Sequence, residues 1–147
     1  MHRILLTTAL LFPVAAFAAG GGDSTPPKPT STTLQCTDGK VASVDGKSCV
    51  APQSGSLDDD TLYRAVREFA YAGQYIHAQE ALAAMSDQTD DRVLTYMGFT
   101  HRKMGDTALG NAYYRQAIAA NPDNLLARSY MGQGFVAEGD LVAAYEQ

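Results

Sequence analysis

Cysteine and histidine are scarce in this chain and tryptophan is missing: two, three and none in 147 residues. The histidines, His2, His77 and His101, lie far in sequence from Cys36 and Cys49, and no zinc-type spacing occurs, so the pattern offers no metal site. Neither His77 nor His101 has a Cys or Ser placed beside it as a nucleophile, and there is no Gly-rich phosphate loop. No catalytic residue, metal or cofactor is therefore expected. Cations are also in short supply. Eleven Lys and Arg stand against 16 Asp and Glu, a net charge of -5, which argues against nucleic acid as a partner, since that needs a basic surface.

Long apolar runs are missing too, except at the start. "MHRILLTTALLFPVAAFAAG" opens with His2 and Arg3, runs apolar from Ile4 to Phe17 with one break at Pro13, and reaches the small-x-small triplet Ala16-Phe17-Ala18. That is the layout of a secretory signal peptide over residues 1–18, and the run is shorter than the ~20 residues that span a bilayer. No cysteine follows the cut, so no lipid anchor is expected. The expected compartment is the periplasm, or secretion, with no membrane span after cleavage. Cleavage removes Arg3 and makes the remaining chain more acidic.

What is present comes in three parts. Residues 19–35 are rich in Gly, Pro, Ser and Thr and poor in large apolar side chains, so they cannot offset the entropy of ordering and read as a disordered tether. Residues 36–50 are bracketed by Cys36 and Cys49 and hold two Asp-Gly pairs, Asp38-Gly39 and Asp45-Gly46, around the strand-like Val41–Val44. In an exported chain two cysteines this close predict a disulfide, closing a loop that can stabilise a small hairpin by about 3 kcal/mol. Residues 51–58 read as a second linker.

From residue 59 onward the chain repeats itself. "YMGFTHRKMGD" begins at Tyr96 and "YMGQGFVAEGD" at Tyr130, a period of 34. Upstream, "LYRAVREFAYAGQ" places Leu62, Ala65, Val66 and Phe69 at helical spacing before Gly73. The matching positions are Leu94, Met97, Gly98 and His101, then Arg128, Met131, Gly132 and Phe135. A second helix is expected after each glycine stop. Its inner face carries Ala78, Leu82 and Met85 in the first unit and Gly110, Tyr114 and Ala117 in the second, where Asn121-Pro122 ends it.

This pattern resembles the tetratricopeptide repeat: 34 residues, helix-turn-helix, small residues where the helices meet and a proline near the join. The units are 59–90, 91–124 and 125–147. His101 and Arg128 depart from the family's preference for large apolar residues, Gly110 stands where Ala is usual, and the first unit is two residues short at "SDQTDD". The resemblance implies an all-α, helix-turn-helix solenoid whose first helices line a concave face. The third unit stops soon after Gly139 with Leu141, Val142 and Tyr145 uncovered, which reads as a piece of a longer array or as an end that a partner covers.

On that register the inward residues are Tyr63, Arg64, Arg67 and Tyr71, then Arg92, Tyr96, Phe99, Arg102 and Lys103, then Tyr130 and Gln133. An acidic chain thus places its repeat cations and tyrosines together, the residue types that dominate binding hot spots and grip carboxylates. The resemblance implies an adaptor for another exported protein or peptide, an acidic or C-terminal segment in particular, with envelope assembly as one setting. Two other roles fit the same pattern: a module that self-associates through its third unit, and a chaperone-like holder of exported chains.

Overall fold

The structure, a computed structural model, describes residues 34–147. The expected signal peptide and all of the expected 19–35 tether except Leu34 and Gln35 lie outside the described residues. The described residues are mostly helical, with little strand.

Two short strands come first, β1 (Val41–Ala42) and β2 (Cys49–Val50), paired antiparallel with Val41 opposite Val50 and Ala42 opposite Cys49. Only half of the strand-like run is ladder. Ser43 and Val44 belong to the turn, where the Ser43 hydroxyl donates to Asp45 and the Ser43 amide donates to the Ser48 carbonyl. Cys36 and Cys49 form the disulfide, with their Cα atoms 5.7 Å apart. Residues 51–58 carry more order than a linker: Pro52–Ser54 form a 3-10 turn with Pro52 buried.

Six helices follow among the described residues: α1 (Asp59–Tyr71), α2 (Tyr75–Ala83), α3 (Asp91–Lys103), α4 (Thr107–Ala120), α5 (Leu125–Glu138) and α6 (Leu141–Tyr145). They pack as consecutive pairs, α1 on α2, α3 on α4 and α5 on α6, and each pair also packs on the next. The repeated Gly-Asp explains the joints. Gly105 and Gly139 adopt φ of +96° and +81°, a left-handed conformation that glycine reaches at little cost. The aspartate that follows then caps the next helix: Asp106 accepts from the Leu109 amide at 3.1 Å and Asp140 from the Ala143 amide at 3.0 Å. The first unit has Gly73-Gln74 instead, and Gln74 makes no side-chain cap. Asp58, Asp90 and Asn124 start α1, α3 and α5 in the same way, by accepting from backbone amides.

The core runs unbroken through the first five helices. Leu62, Val66, Ala78, Leu82, Val93, Tyr96, Tyr114 and Ala127 are essentially fully buried within it. Its tightest seam joins α3 to α4. A Cβ on Gly98 would sit 2.6 Å from the Tyr114 ring and 3.0 Å from the Gly110 carbonyl, and one on Gly110 would sit 2.9 Å from the Gly98 carbonyl. The two glycines let the backbones meet and leave Tyr114 a slot over Gly98. Gly110, a departure in the sequence pattern, is therefore required by this contact.

Adjacent pairs are also pinned by buried polar groups. Asn124 Nδ2 donates to Asp91 Oδ2 at 2.7 Å and to Thr95 Oγ1 at 2.9 Å, while its own Oδ1 caps α5 at the Ala127 amide. One side chain thus starts α5 and ties it to α3. The short first unit closes with Gln88, whose amide donates to the carbonyls of Leu82, in the last turn of α2, and of Met85 just beyond it.

Candidate functional site: a cation-rimmed aromatic face

α1, α3 and α5 each contribute aromatic rings to one face. Tyr96 of α3 stands edge-on to Tyr63 of α1 and to Tyr130 of α5, with ring centroids 5.6 and 6.2 Å apart. Phe99 packs on Tyr130 at 4.9 Å and on Tyr71 at 6.1 Å. The hydroxyls converge as well. Tyr71 and Tyr130 share a hydrogen bond of 2.6 Å that links α1 directly to α5 across α3, and the Tyr96 hydroxyl donates to Tyr71 at 3.5 Å. Burial, reinforced by these hydrogen bonds to Tyr71, pushes the phenols of Tyr96 and Tyr130 well above the usual tyrosine range.

This geometry corrects the sequence reading for three of its eleven residues. Tyr96, Phe99 and Tyr130 are not an open wall: they are 0%, 6% and 5% exposed. The Tyr71–Tyr130 hydrogen bond links α1 to α5, and the three buried rings pack together between α1, α3 and α5 as the floor of this face. Tyr63 and Tyr71 stay half-buried at its edge.

The cations sort into four kinds. Arg92 is neutralised: its guanidinium donates to Asp90 at 2.9 Å and to Asp60 of the preceding pair at 3.1 Å, and lies 5.1 Å from the centre of the Tyr63 ring. Its hydrogen bonds hold the Asp90 carboxyl below the usual range. Arg64 turns along its own helix, donating to Thr61 Oγ1 at 2.9 Å. Arg102 is built into the fold. Its Cδ lies 2.9 Å from where a Gly134 Cβ would be, its Nε is buried, and its guanidinium adjoins the fully buried Tyr114. Among the described residues, neither that Nε nor the Tyr114 hydroxyl finds a partner with hydrogen-bond geometry.

Arg67 and Lys103 remain as exposed cations beside the floor. Arg67 adjoins the phenols of Tyr96, Tyr63 and Tyr71, and Lys103 Nζ lies 5.6 Å from the centre of the Phe99 ring. Among the described residues, no carboxylate comes within salt-bridge distance of either one. The eleventh residue, Gln133, lies apart. It lines an open cleft of about 370 Å³ between α5 and α6 with Leu125, Arg128, Val136 and Gln147.

Among the described residues, no group of three or more His, Cys, Asp or Glu is placed to hold a metal ion. No helix of these residues is long and apolar enough to cross a membrane. No family model, curated protein or solved structure matches the chain.

Proposed function

We propose that this is an exported adaptor of the tetratricopeptide type, whose curved helix array holds an acidic segment of another protein. The observation that carries the reading is the pair Arg67 and Lys103. Two exposed cations with no acidic partner within salt-bridge distance among the described residues stand beside a buried aromatic floor in an acidic protein. Placed there, each can meet a carboxylate without first breaking an internal ion pair, and the Tyr63 and Tyr71 edges supply apolar contact. The disulfide and the expected signal peptide fit a site outside the cytoplasm. The role is one of binding, not catalysis.

The test is an affinity comparison on the oxidised chain. Immobilised wild type and the Arg67→Glu/Lys103→Glu variant are exposed to a peptide library in which acidic, neutral and C-terminally amidated sequences are matched. The proposal expects acidic sequences on the wild type and at least a tenfold loss on the variant, the scale of one charge-assisted contact. Equal retention of acidic and neutral peptides, or no loss on the variant, would contradict it. Arg102 is left out of the variant because its stem packs between helices.

A second reading rests on α6. Leu141, Val142 and Tyr145 are 66%, 74% and 93% exposed, an apolar face that a second copy could cover. Its mark is a mass in solution that rises with concentration and falls back in Val142→Lys.

A further inference from the structure

We infer that the Cys36–Cys49 hairpin is a seated end cap for the helix array, locked in place by Gly39 beneath His77, and that the disulfide is the condition for its seating. The hairpin could have been a free appendage. Two strands with two paired positions do not make an independently stable unit. Yet its first turn is buried against the helices: Gly39 is buried and Val41 is 5% exposed.

The contact is specific. Thr37–Lys40 form a tight turn closed by the Lys40 amide on the Thr37 carbonyl at 3.0 Å, with φ of 56° at Asp38 and 70° at Gly39. A Cβ on Gly39 would collide with Nδ1 of His77 and come within 2.9 Å of Cε1. The imidazole is itself held, by Glu80 Oε2 at 3.1 Å and by the Phe69 ring 5.7 Å away. A second anchor follows in the chain. The 3-10 turn packs on α2, and Gln53 Nε2 donates to the Glu80 carbonyl at 3.1 Å. Both anchors therefore meet the His77–Glu80 face.

That face is the outer one. Gln79 of α2 donates to Thr100 of α3 at 3.1 Å, so Gln79 points toward the next pair. His77 is two residues away, about 200° around the helix, and so points the opposite way. The hairpin occupies the side of α2 that faces away from α3. A dithiol reductant opens the cap: the cystine gains two electrons and two protons to give two thiols, and the reductant leaves as its own disulfide. With no core of its own, the hairpin then leaves α2 and frees the side of the His77 imidazole that Gly39 covers.

The experiment is amide hydrogen exchange on the full oxidised chain, resolved helix by helix. Gly39→Ala, with the disulfide intact, is expected to speed exchange in α2 by about tenfold or more while α4 is unchanged, the signature of a local opening. His77→Ala added to Gly39→Ala is expected to recover part of that protection, because removing the imidazole makes room for the new Cβ. Wild type reduced with dithiothreitol is expected to match Gly39→Ala in α2. Unchanged α2 exchange in both the variant and the reduced protein would overturn the inference. If Gly39→Ala loosens α4 equally, the reduced wild type decides: α2 opening alone supports the seated cap, and any other pattern rejects it.

Discussion

Tyr96-Met97-Gly98 and Tyr130-Met131-Gly132 are the same three words in two places, and their surroundings treat them differently. In the first, Tyr96 is fully buried and Gly98 is pressed against the Tyr114 ring and the Gly110 carbonyl. In the second, Tyr130 closes on Tyr71 and Phe99, but the nearest atom to a Cβ on Gly132 would be the Ala144 carbonyl at 3.6 Å, an ordinary contact. The difference comes from the partner helix. α4 lays the Tyr114 ring over Gly98, whereas α6 brings only a backbone carbonyl near Gly132. A repeated sequence fixes where a helix starts and stops, while its neighbour decides whether the small residue is indispensable.

The comparison can be broken most forcefully at Tyr114. Tyr114→Ala empties the slot over Gly98, and removal of a buried aromatic ring costs about 3–5 kcal/mol, so a urea titration should show a large fall in midpoint. Alkaline pH is the next lever. Folded Tyr96, Tyr114 and Tyr130 titrate above the phenol pKa of about 10 of the unfolded chain. Above about pH 10 the unfolded chain releases protons that the folded one keeps, so their contribution is complete below pH 10 and is lost as pH rises past it. The loss is about 1.4 kcal/mol per pH unit for each phenol protonated only in the folded state. Chemical denaturation from pH 8 to 11 should show the decline, and Tyr96→Phe should flatten it. A midpoint independent of pH would contradict the buried floor. The caps give the smallest effect. Asp106→Ala should cost about 1 kcal/mol, whereas Asp140→Ala should frustrate only α6 and barely move the global transition. Circular dichroism melts separate the two.

Much of this arrangement is legible in the sequence. α1, α3 and α5 begin at Asp59, Asp91 and Leu125, where the repeating pattern opens its units. Gly105-Asp106 and Gly139-Asp140 spell a left-handed stop followed by a cap, both local chemistry. The disulfide matches the expectation drawn from the close spacing of Cys36 and Cys49 and an expected signal peptide. The candidate face is less legible. Repeat register places Tyr71 and Tyr130 on the inner side of their helices, but their hydrogen bond depends on how closely α1 and α5 approach across α3, and no residue pattern states that. Arg92 reads as a free groove cation until Asp60, contributed by the preceding pair, is found beside it. The seat of Gly39 under His77 joins two segments with no shared periodicity; an Asp-Gly turn announces itself but not what it rests on.

The central claim, that identical repeat words are constrained by different neighbours, is tested most directly by one pair of melting temperatures. Gly98→Ala adds a methyl group where none fits and should lower stability by about 1–3 kcal/mol, the cost of an overpacked core. Gly132→Ala adds the same group where space exists and gains up to about 1 kcal/mol of helix propensity, so its melting temperature should hold or rise. Equal shifts for the two variants, or a larger loss at Gly132, would contradict the account.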